Sequence, residues 1–397
     1  MKLLLIKFGK AWHTLKRDGV VRGGKRVWSS FRAMFRRVKK GDILFITGGV
    51  GDSARYRTDH VAQELEQHGF RCAITIQDNP FLPSYADKFK VFVFHRTLFS
   101  AGVKKLIEKI KEQKKEIIFD TDDLVFDKKY LEHMDFFKKM NVFERKLYEN
   151  GVGGEIVRDS YVKVFTTTTG YLADKLKEEG KRVIIVTNKI PESDLKIAEE
   201  IEALNLAQRY FARDEIVIGY FSGAHGHDKD FATIEKTIIQ LLDKYPRLRL
   251  FLAGPLEIGI EFDKYQPKIK RMAYVPRKEN YRNIAGVDIN IAPLEIGNPF
   301  CESKSELKFF EAGLLSVPTV ATATRTFCEA INEGEDGFVA RDEIEWHEKL
   351  ERLIVSEELR KDMGKKAKAK ALKNYTVRNS QTEEYYQYLR EVLQKEV

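Results

Sequence analysis

The chain has 397 residues, enough for two domains with cores of their own. With 43% hydrophobic and 32% charged residues it is neither disordered nor fibrous, and no apolar run reaches the ~18 residues of a transmembrane helix. The formal net charge of +9 is uneven: residues 1–41 carry 13 Lys and Arg against Asp18 alone, so the rest of the chain is net acidic, which argues against a nucleic-acid-binding core.

Within that leader, Val27, Trp28, Phe31, Met34, Phe35 and Val38 recur at helical spacing, with Arg26, Arg32, Arg36, Arg37, Lys39 and Lys40 between them. The pattern predicts a cationic amphipathic helix suited to an anionic membrane surface. A helix packed on the protein's own body shows the same pattern, and a nucleic-acid contact is a third reading. The LLLI run is too short for a signal peptide. Cys72, Cys301 and Cys328 form no metal spacing and no disulfide framework, which fits a reducing cytosol. The expected location is cytoplasmic, peripheral at the inner face of the plasma membrane.

From Gly41 strands and helices alternate, as in a parallel sheet covered on both faces. Ile43–Thr47 reads as a buried strand, followed by a glycine loop and a helix from about Ala54 to His68. Further strands are expected near 71–76, 91–95, 116–119, 163–167 and 182–186. Gly49-x-Gly51-x-x-Ala54 fits the dinucleotide fingerprint, with Asp78 as the first acid after the next strand. The same loop equally suits close backbone approach to any phosphate or sugar. Arg55 and Arg57 are acceptor or phosphate contacts on one reading and solvated helix residues on the other. His95 and Arg96 end a strand, where ligands of doubly wound sheets sit, although a satisfied structural histidine accounts for His95 equally well. Asp120, Asp122 and Asp123 follow another buried strand. Asp122 or Asp123 there positions an acceptor hydroxyl or acts as base, unless the cluster only caps a helix.

A charged helix at about 192–212 reads as a linker, and a second doubly wound unit starts with Ile216–Phe221. Its first loop holds Ser222, Gly223, His225, His227 and Asp228; the histidine spacing fits no standard zinc pattern. Strands are expected at 250–255, 272–276 and 287–294. Asn298–Thr322 then reads as loop, helix, turn and strand. Ser303 and Ser305 are cap-type residues, and Lys304, Lys308 and Glu311 share one polar helix face. A helix N-terminus with two lysines suits a diphosphate, and a carboxylate further along suits a ribose diol. A solvated amphipathic helix accounts for the same pattern. Two helices fill 345–373, and a last one starts near Asn379.

Lys304-Ser305-x-Leu307-Lys308-x-x-Glu311-Ala312-Gly313, then Val317-Pro318-x-Val320-Ala321, resembles the donor-binding helix of family 4 glycosyltransferases. The variant resembles a subgroup of bacterial surface-polysaccharide and cell-wall glycan assembly. The resemblance implies the GT-B fold: two doubly wound Rossmann-like domains facing a cleft. It implies retaining transfer from a nucleotide sugar to a glycan or lipid-linked acceptor, with neither metal nor other cofactor. Glu311 matches the last Glu of the family's E-x7-E motif, while Ser303 stands where the first Glu belongs. Ser222-Gly223 replaces a Gly-Arg pair on the diphosphate, so Lys304 and Lys308 would supply its charge. By the same resemblance Gly49, Gly51, Ser222, Gly223, His225 and Ser305 join Lys304, Lys308 and Glu311 on the donor. Arg55, Arg57 and Arg96 fall on the acceptor, with His95, Asp122 and Asp123 in catalysis.

The expected organisation is a leader at 1–40, an acceptor domain at 41–190 completed by a helix at 379–397, a linker helix at 191–213 and a donor domain at 214–378. Three rival functions stay open: a sugar-nucleotide epimerase of the same fold, a nicotinamide-dependent oxidoreductase resting on Gly49, Gly51 and Ala54, and a non-catalytic sugar-nucleotide binder or membrane scaffold.

Overall fold

The computed structural model describes residues 24, 28, 31, 32, 34–49, 51–133, 142, 145, 151–223, 228–379 and 382–395. It divides into two compact units, residues 1–188 with 382–397, and residues 189–381.

The first unit is built on six parallel strands: β1 (Ile43–Thr47), β2 (Cys72–Ile76), β3 (Val91–His95), β4 (Glu116–Thr121), β5 (Val164–Thr167) and β6 (Arg182–Ile185), in spatial order β2-β1-β3-β4-β5-β6. Every residue of β1 and β3 is buried, so these strands read as unbroken apolar runs, as expected of a sheet covered on both faces. Order reverses between β1 and β3, whose ends align as Thr47 beside His95. The loops leaving those two ends border the crevice where such sheets hold ligands. Ile43, Phe45, Val91, Val93 and Ile118 form the core with Tyr385, Tyr386 and Leu389 of the helix Glu383–Gln394. That helix is fixed by a polar anchor as well. Buried Glu64 accepts hydrogen bonds from Thr382 Oγ1 (2.7 Å) and from the Tyr386 hydroxyl.

The helix after β1 runs over residues 52–67 but changes pitch: Arg55–Asp59 is a π-turn between Asp52–Ala54 and His60–Gln67. Thr58 Oγ1 donates to the Ala54 carbonyl (2.6 Å), competing with the regular backbone ladder there. Turns of this kind re-aim side chains and cluster at functional sites. Here the wound-in residue is Arg57.

The second unit has β7 (Ile216–Phe221), β8 (Leu248–Ala253), β9 (Ile269–Met272), β10 (Ile289–Ala292), β11 (Thr319–Thr322) and β12 (Phe338–Ala340), in order β12-β11-β10-β7-β8-β9. Its order reverses between β7 and β10. Its core holds Phe251, Phe309, Phe310, Leu314 and Tyr375 on one face, and Ile218, Ile238, Leu250 and Leu350 on the other. Thr324, Asp342 and Ser356 each cap a helix by accepting a backbone N–H.

Three local expectations are corrected. The helix expected over 192–212 is Glu192–Ala203, because Asn205 turns left-handed (φ 50°) and the Leu206 N–H bonds back to the Ile201 carbonyl. The strand expected at 272–276 is Ile269–Met272, paired with Leu250–Ala253. The helix Leu307–Leu314 starts after Lys304 and Ser305, and no side-chain cap closes it. Ser303 instead closes the short helix Pro299–Glu302, its Oγ donating to the Phe300 carbonyl (2.7 Å).

Most of the leader lies outside the described residues, so its amphipathic helix is traced only in part. Trp28, Phe31 and Phe35 are helical and exposed, and their rings adjoin, Trp28 stacked on Phe31 at 5.9 Å and Phe31 tilted against Phe35 at 5.2 Å. Asn79 and Lys88 side chains donate to the carbonyls of Arg36 and Val38, tying the end of the leader to the first unit. Among the described residues no helix is long and apolar enough to cross a membrane.

Candidate functional site

In the first unit the site begins with Gly48. A Cβ there would lie 2.0 Å from the Arg96 carbonyl oxygen, so only glycine lets the loop after β1 run against the loop after β3. Arg96 itself is left-handed (φ 46°), an uncommon conformation for a side chain of its size. Gln77 ties the loops together, its amide donating to the Gly48 carbonyl (2.9 Å) and accepting from the Leu98 N–H (2.6 Å). A dinucleotide site would need an acid at this end of β2 to hold a ribose. Gln77 follows the strand directly with its amide engaged on both sides, and the first acid, Asp78, stands one residue later.

This juxtaposition aligns four side chains that are distant in sequence. Asp120, at the end of β4, is fully buried and accepts from Arg57 Nε (3.1 Å), Arg57 Nη2 (2.6 Å), Thr166 Oγ1 (2.7 Å) and His95 Nδ1 (2.7 Å). Burial pushes the Asp120 pKa up. The Arg57 charge and the bonds from His95 and Arg57 outweigh it and hold the carboxyl well below its usual range. On its other side, His95 Nε2 lies 3.0 Å from Ser53 Oγ, which is also 3.0 Å from Asp122 Oδ1. Asp122 pairs with Arg96 Nε (2.7 Å), and Asp123 pairs with Arg96 Nη2. His95, Asp122, Asp123 and Arg96 therefore converge.

Arg57 corrects both readings, the acceptor or phosphate contact and the solvated helix residue: it is 1% exposed and points inward to Asp120, with further bonds to the Val186 carbonyl and Asn188 Oδ1. Arg55 stays at the surface, paired with Asp52 at 3.2 Å. Gly49 and Gly51 are exposed, and nothing lies within 4 Å of where a Cβ would stand, so this backbone is open to approach.

In the second unit Gly254 (φ 91°) plays the part of Gly48: a Cβ there would meet the Ser222 carbonyl at 1.9 Å. The loop after β7 thus turns at Ser222-Gly223 beside the end of β8. His225 and His227 lie outside the described residues. After β10 the chain reaches Glu295 and the short helix Pro299–Glu302, capped by Asn298 Oδ1 accepting from the Phe300 N–H (3.0 Å). Lys304 stands on the turn that follows, its ammonium 3.7 Å from the Phe300 ring centroid. Lys308, in the first turn of the helix Leu307–Leu314, lies 4.3 Å from the Tyr220 ring centroid. Burial and repulsion from Lys304, only partly offset by Asp230 and Glu311, push the Lys308 pKa down to about 8.

Glu311 is nearly buried and accepts from Arg277 Nη2 through Oε1. Arg277 is held in turn by Asp194 Oδ2, at 2.8 Å from Nε and 2.6 Å from Nη2, and bonds to the Tyr281 hydroxyl (2.7 Å). Asp230, Glu295 and Cys301 bring their ligand atoms within 4.8 Å of one another. Burial and the Asp230 charge push the Cys301 thiol up, and it donates to Asp230 Oδ1 (3.3 Å). A thiol kept protonated is a poor metal ligand, and the charge facing this group is the ammonium of Lys308.

Sequence reasoning missed Ser53, Arg277, Asp194 and Asp230. Ser53 is an unspecified position of the Gly49-x-Gly51-x-x-Ala54 fingerprint, the other three sit in no recognisable motif, and each acquires its partners only through the fold.

Residues 235–383, all but the last two in the second unit, match the family described as glycosyl transferase-like. No curated protein matches the chain in sequence. Among solved structures it resembles Anabaena Alr3699/HepE in complex with UDP-glucose, at 13% identity and TM-score 0.56, over 89% of this chain and 99% of that one. It also resembles a sucrose-phosphate synthase from Thermosynechococcus elongatus (11%, TM-score 0.59, 88% and 98%) and a glycosyltransferase from Rickettsia africae ESF-5 (13%, TM-score 0.58, 90% and 100%). At such identities these likenesses concern the fold, two parallel Rossmann-like sheets.

Proposed function

We propose that this chain of GT-B fold is a nucleotide-sugar-dependent glycosyltransferase that transfers its sugar, with retention of configuration, to a hydroxyl of a glycan or lipid-linked acceptor. The observation that carries the donor half is Lys308: an ammonium held partly out of water, with its pKa pushed down to about 8, one helical turn before Glu311. Fixed cations in a partly desolvated place stabilise the charge that develops on a leaving diphosphate. Lys304, Ser305, Ser222, Gly223 and His225 complete the diphosphate contacts in this reading. Glu311, already oriented by Arg277, accepts the ribose diol. Because HepE of Anabaena is described with UDP-glucose, UDP-sugars are the first donors to try.

On the acceptor side His95, Asp122 and Asp123 act on the hydroxyl, and Arg96 and Arg55 hold the polar groups around it. Retention is inferred from the likeness of residues 304–321 to retaining enzymes. The adjoining, exposed Trp28, Phe31 and Phe35 beside exposed Arg32, Arg36 and Arg37 suit an anionic membrane surface, which a lipid-linked acceptor would make useful.

A thermal-shift panel of nucleotide sugars and NAD(P) tests the donor site, since a ligand of the native state raises the melting temperature. The expected result is a rise with one nucleotide sugar, lost in Lys308→Ala and Glu311→Ala. A rise with NAD alone, or one unaffected by both substitutions, contradicts the assignment.

A further inference from the structure

His95 is 1% exposed, and its two ring nitrogens are both engaged, Nδ1 with Asp120 and Nε2 with Ser53. Asp120 is ionised and can only accept, so Nδ1 carries a proton and Nε2 is left as the basic nitrogen. Any proton reaching that nitrogen from outside must deal with the Ser53 hydroxyl, which covers it.

Ser53 has one proton and two acceptors at the same distance, 3.0 Å to His95 Nε2 and 3.0 Å to Asp122 Oδ1. Rotating the hydroxyl hydrogen from one to the other moves no heavy atom. While His95 is neutral the hydroxyl donates to Nε2. Once Nε2 is protonated, it donates to Ser53 Oγ and the hydroxyl turns to Asp122. The charges around the ring are balanced for this change. Arg57 and Asp120 neutralise one another beside Nδ1, and Asp122, 4.0 Å from Nε2, is paired with Arg96.

We propose that Ser53 is the proton conduit of the transfer reaction, passing the acceptor's proton to His95. The proposal rests on the glycosyltransferase reading above. The acceptor oxygen bonds to the anomeric carbon on the face from which the diphosphate departs, so configuration is kept, while the bond from that carbon to the diphosphate oxygen breaks and its electron pair leaves with the diphosphate. The acceptor proton goes to Ser53 Oγ as the Ser53 proton goes to His95 Nε2, and Asp120 stabilises the imidazolium formed. Arg57 and Thr166 are positioning residues that keep Asp120 ionised and aimed at Nδ1.

The experiment measures UDP release from a UDP-sugar, with n-octyl glucoside as the hydroxyl probe, over pH 5 to 9. The parent, Ser53→Ala, Ser53→Thr and His95→Gln are compared, each with its melting temperature and donor KM. General-base assistance spans ~10²–10⁴-fold, so Ser53→Ala should lose ~100-fold in kcat with donor KM and melting temperature unchanged. Ser53→Thr, which keeps the hydroxyl, should stay within ~3-fold. His95→Gln should lower kcat at least as far as Ser53→Ala, with donor KM unchanged. A Ser53→Ala enzyme as fast as the parent, or one slowed only by loss of folding or of donor binding, overturns the conduit. If the parent itself releases no UDP, the functional reading has failed, and the proposal that rests on it falls too. Imidazole ¹⁵N shifts then still report whether Nδ1 of His95 carries the proton, separating a wrong reaction from a wrong reading of the network.

Discussion

Two buried cations, one from each unit, are held in opposite ways. In the first unit Arg57 meets Asp120. In the second, Arg277 is likewise paired with Asp194 and Glu311, but Lys308 has no carboxylate within ion-pair distance among the described residues, and desolvation depresses its pKa. A group that moves a proton needs surroundings that change little in energy when the charge shifts by one. A group that binds an anion works best with a cation left unsatisfied until the anion arrives, because pairing it beforehand would cancel the attraction.

The sharpest way to break this comparison is to remove a balanced charge. Arg57→Met leaves the buried Asp120 without its arginine, held only by His95 and Thr166, and should destabilise the fold by ~3–5 kcal/mol, read from denaturant unfolding. Lys308→Met deletes an unbalanced charge and should leave stability unchanged or raise it, while donor affinity falls ~100-fold or more. If Arg57→Met were neutral and Lys308→Met unfolded the chain, the contrast between the two cations would be wrong.

The pH dependence sharpens the same point. Lys308 titrates near 8 in the folded chain against an ordinary value of 10.5, so between those values the unfolded lysine keeps a proton the folded one has lost. Stability should therefore rise across that window, relative to Lys308→Met, because the folded chain sheds the cost of a buried charge. Donor affinity should move the other way: level below about pH 8, then falling by up to ~10-fold per unit above it. Titration calorimetry at pH 7, 8 and 9 measures this, and an affinity flat over the range would deny Lys308 its part.

A moderate effect is expected from Glu311→Gln, which keeps the shape but weakens the hydrogen bonds to Arg277 and to a ribose. Donor affinity should drop by about tenfold, in line with ~1.5–3 kcal/mol for hydrogen bonds to a charged group. Smallest is the leader. Trp28→Ser with Phe31→Ser should lower binding to vesicles containing phosphatidylserine and leave donor binding untouched. Equal binding to neutral vesicles would remove the basis for an anionic surface.

The sheets were readable because their central strands are buried on both faces. Ile43–Thr47, Val91–His95 and Glu116–Thr121 stand out as apolar runs that need no partner to be recognised. The edge strand β9 was displaced because its middle residues, Lys270 and Arg271, are exposed and carry no such signal. The individual lysines and Glu311 could be picked out, since three and four residues of helix bring them together. Lys304 was nevertheless drawn onto a helix that starts three residues later. Ser53 was not legible at all. It lies 42 residues from His95 and 69 from Asp122, and its chemistry exists only because Gly48 lets two loops meet. Arg57 shows the same limit from the other side. Nothing in Arg55-Tyr56-Arg57 distinguishes the arginine that stays out from the one a π-turn winds in.

The most direct single measurement is proton NMR of the chain incubated with UDP-glucose and with other UDP-sugars, following the anomeric signals from the first minutes. Consumption of one donor with the α-anomer of the sugar appearing first, and none with Lys308→Met, is the predicted result. A donor that binds yet stays intact, or a β-anomer appearing first, would contradict it.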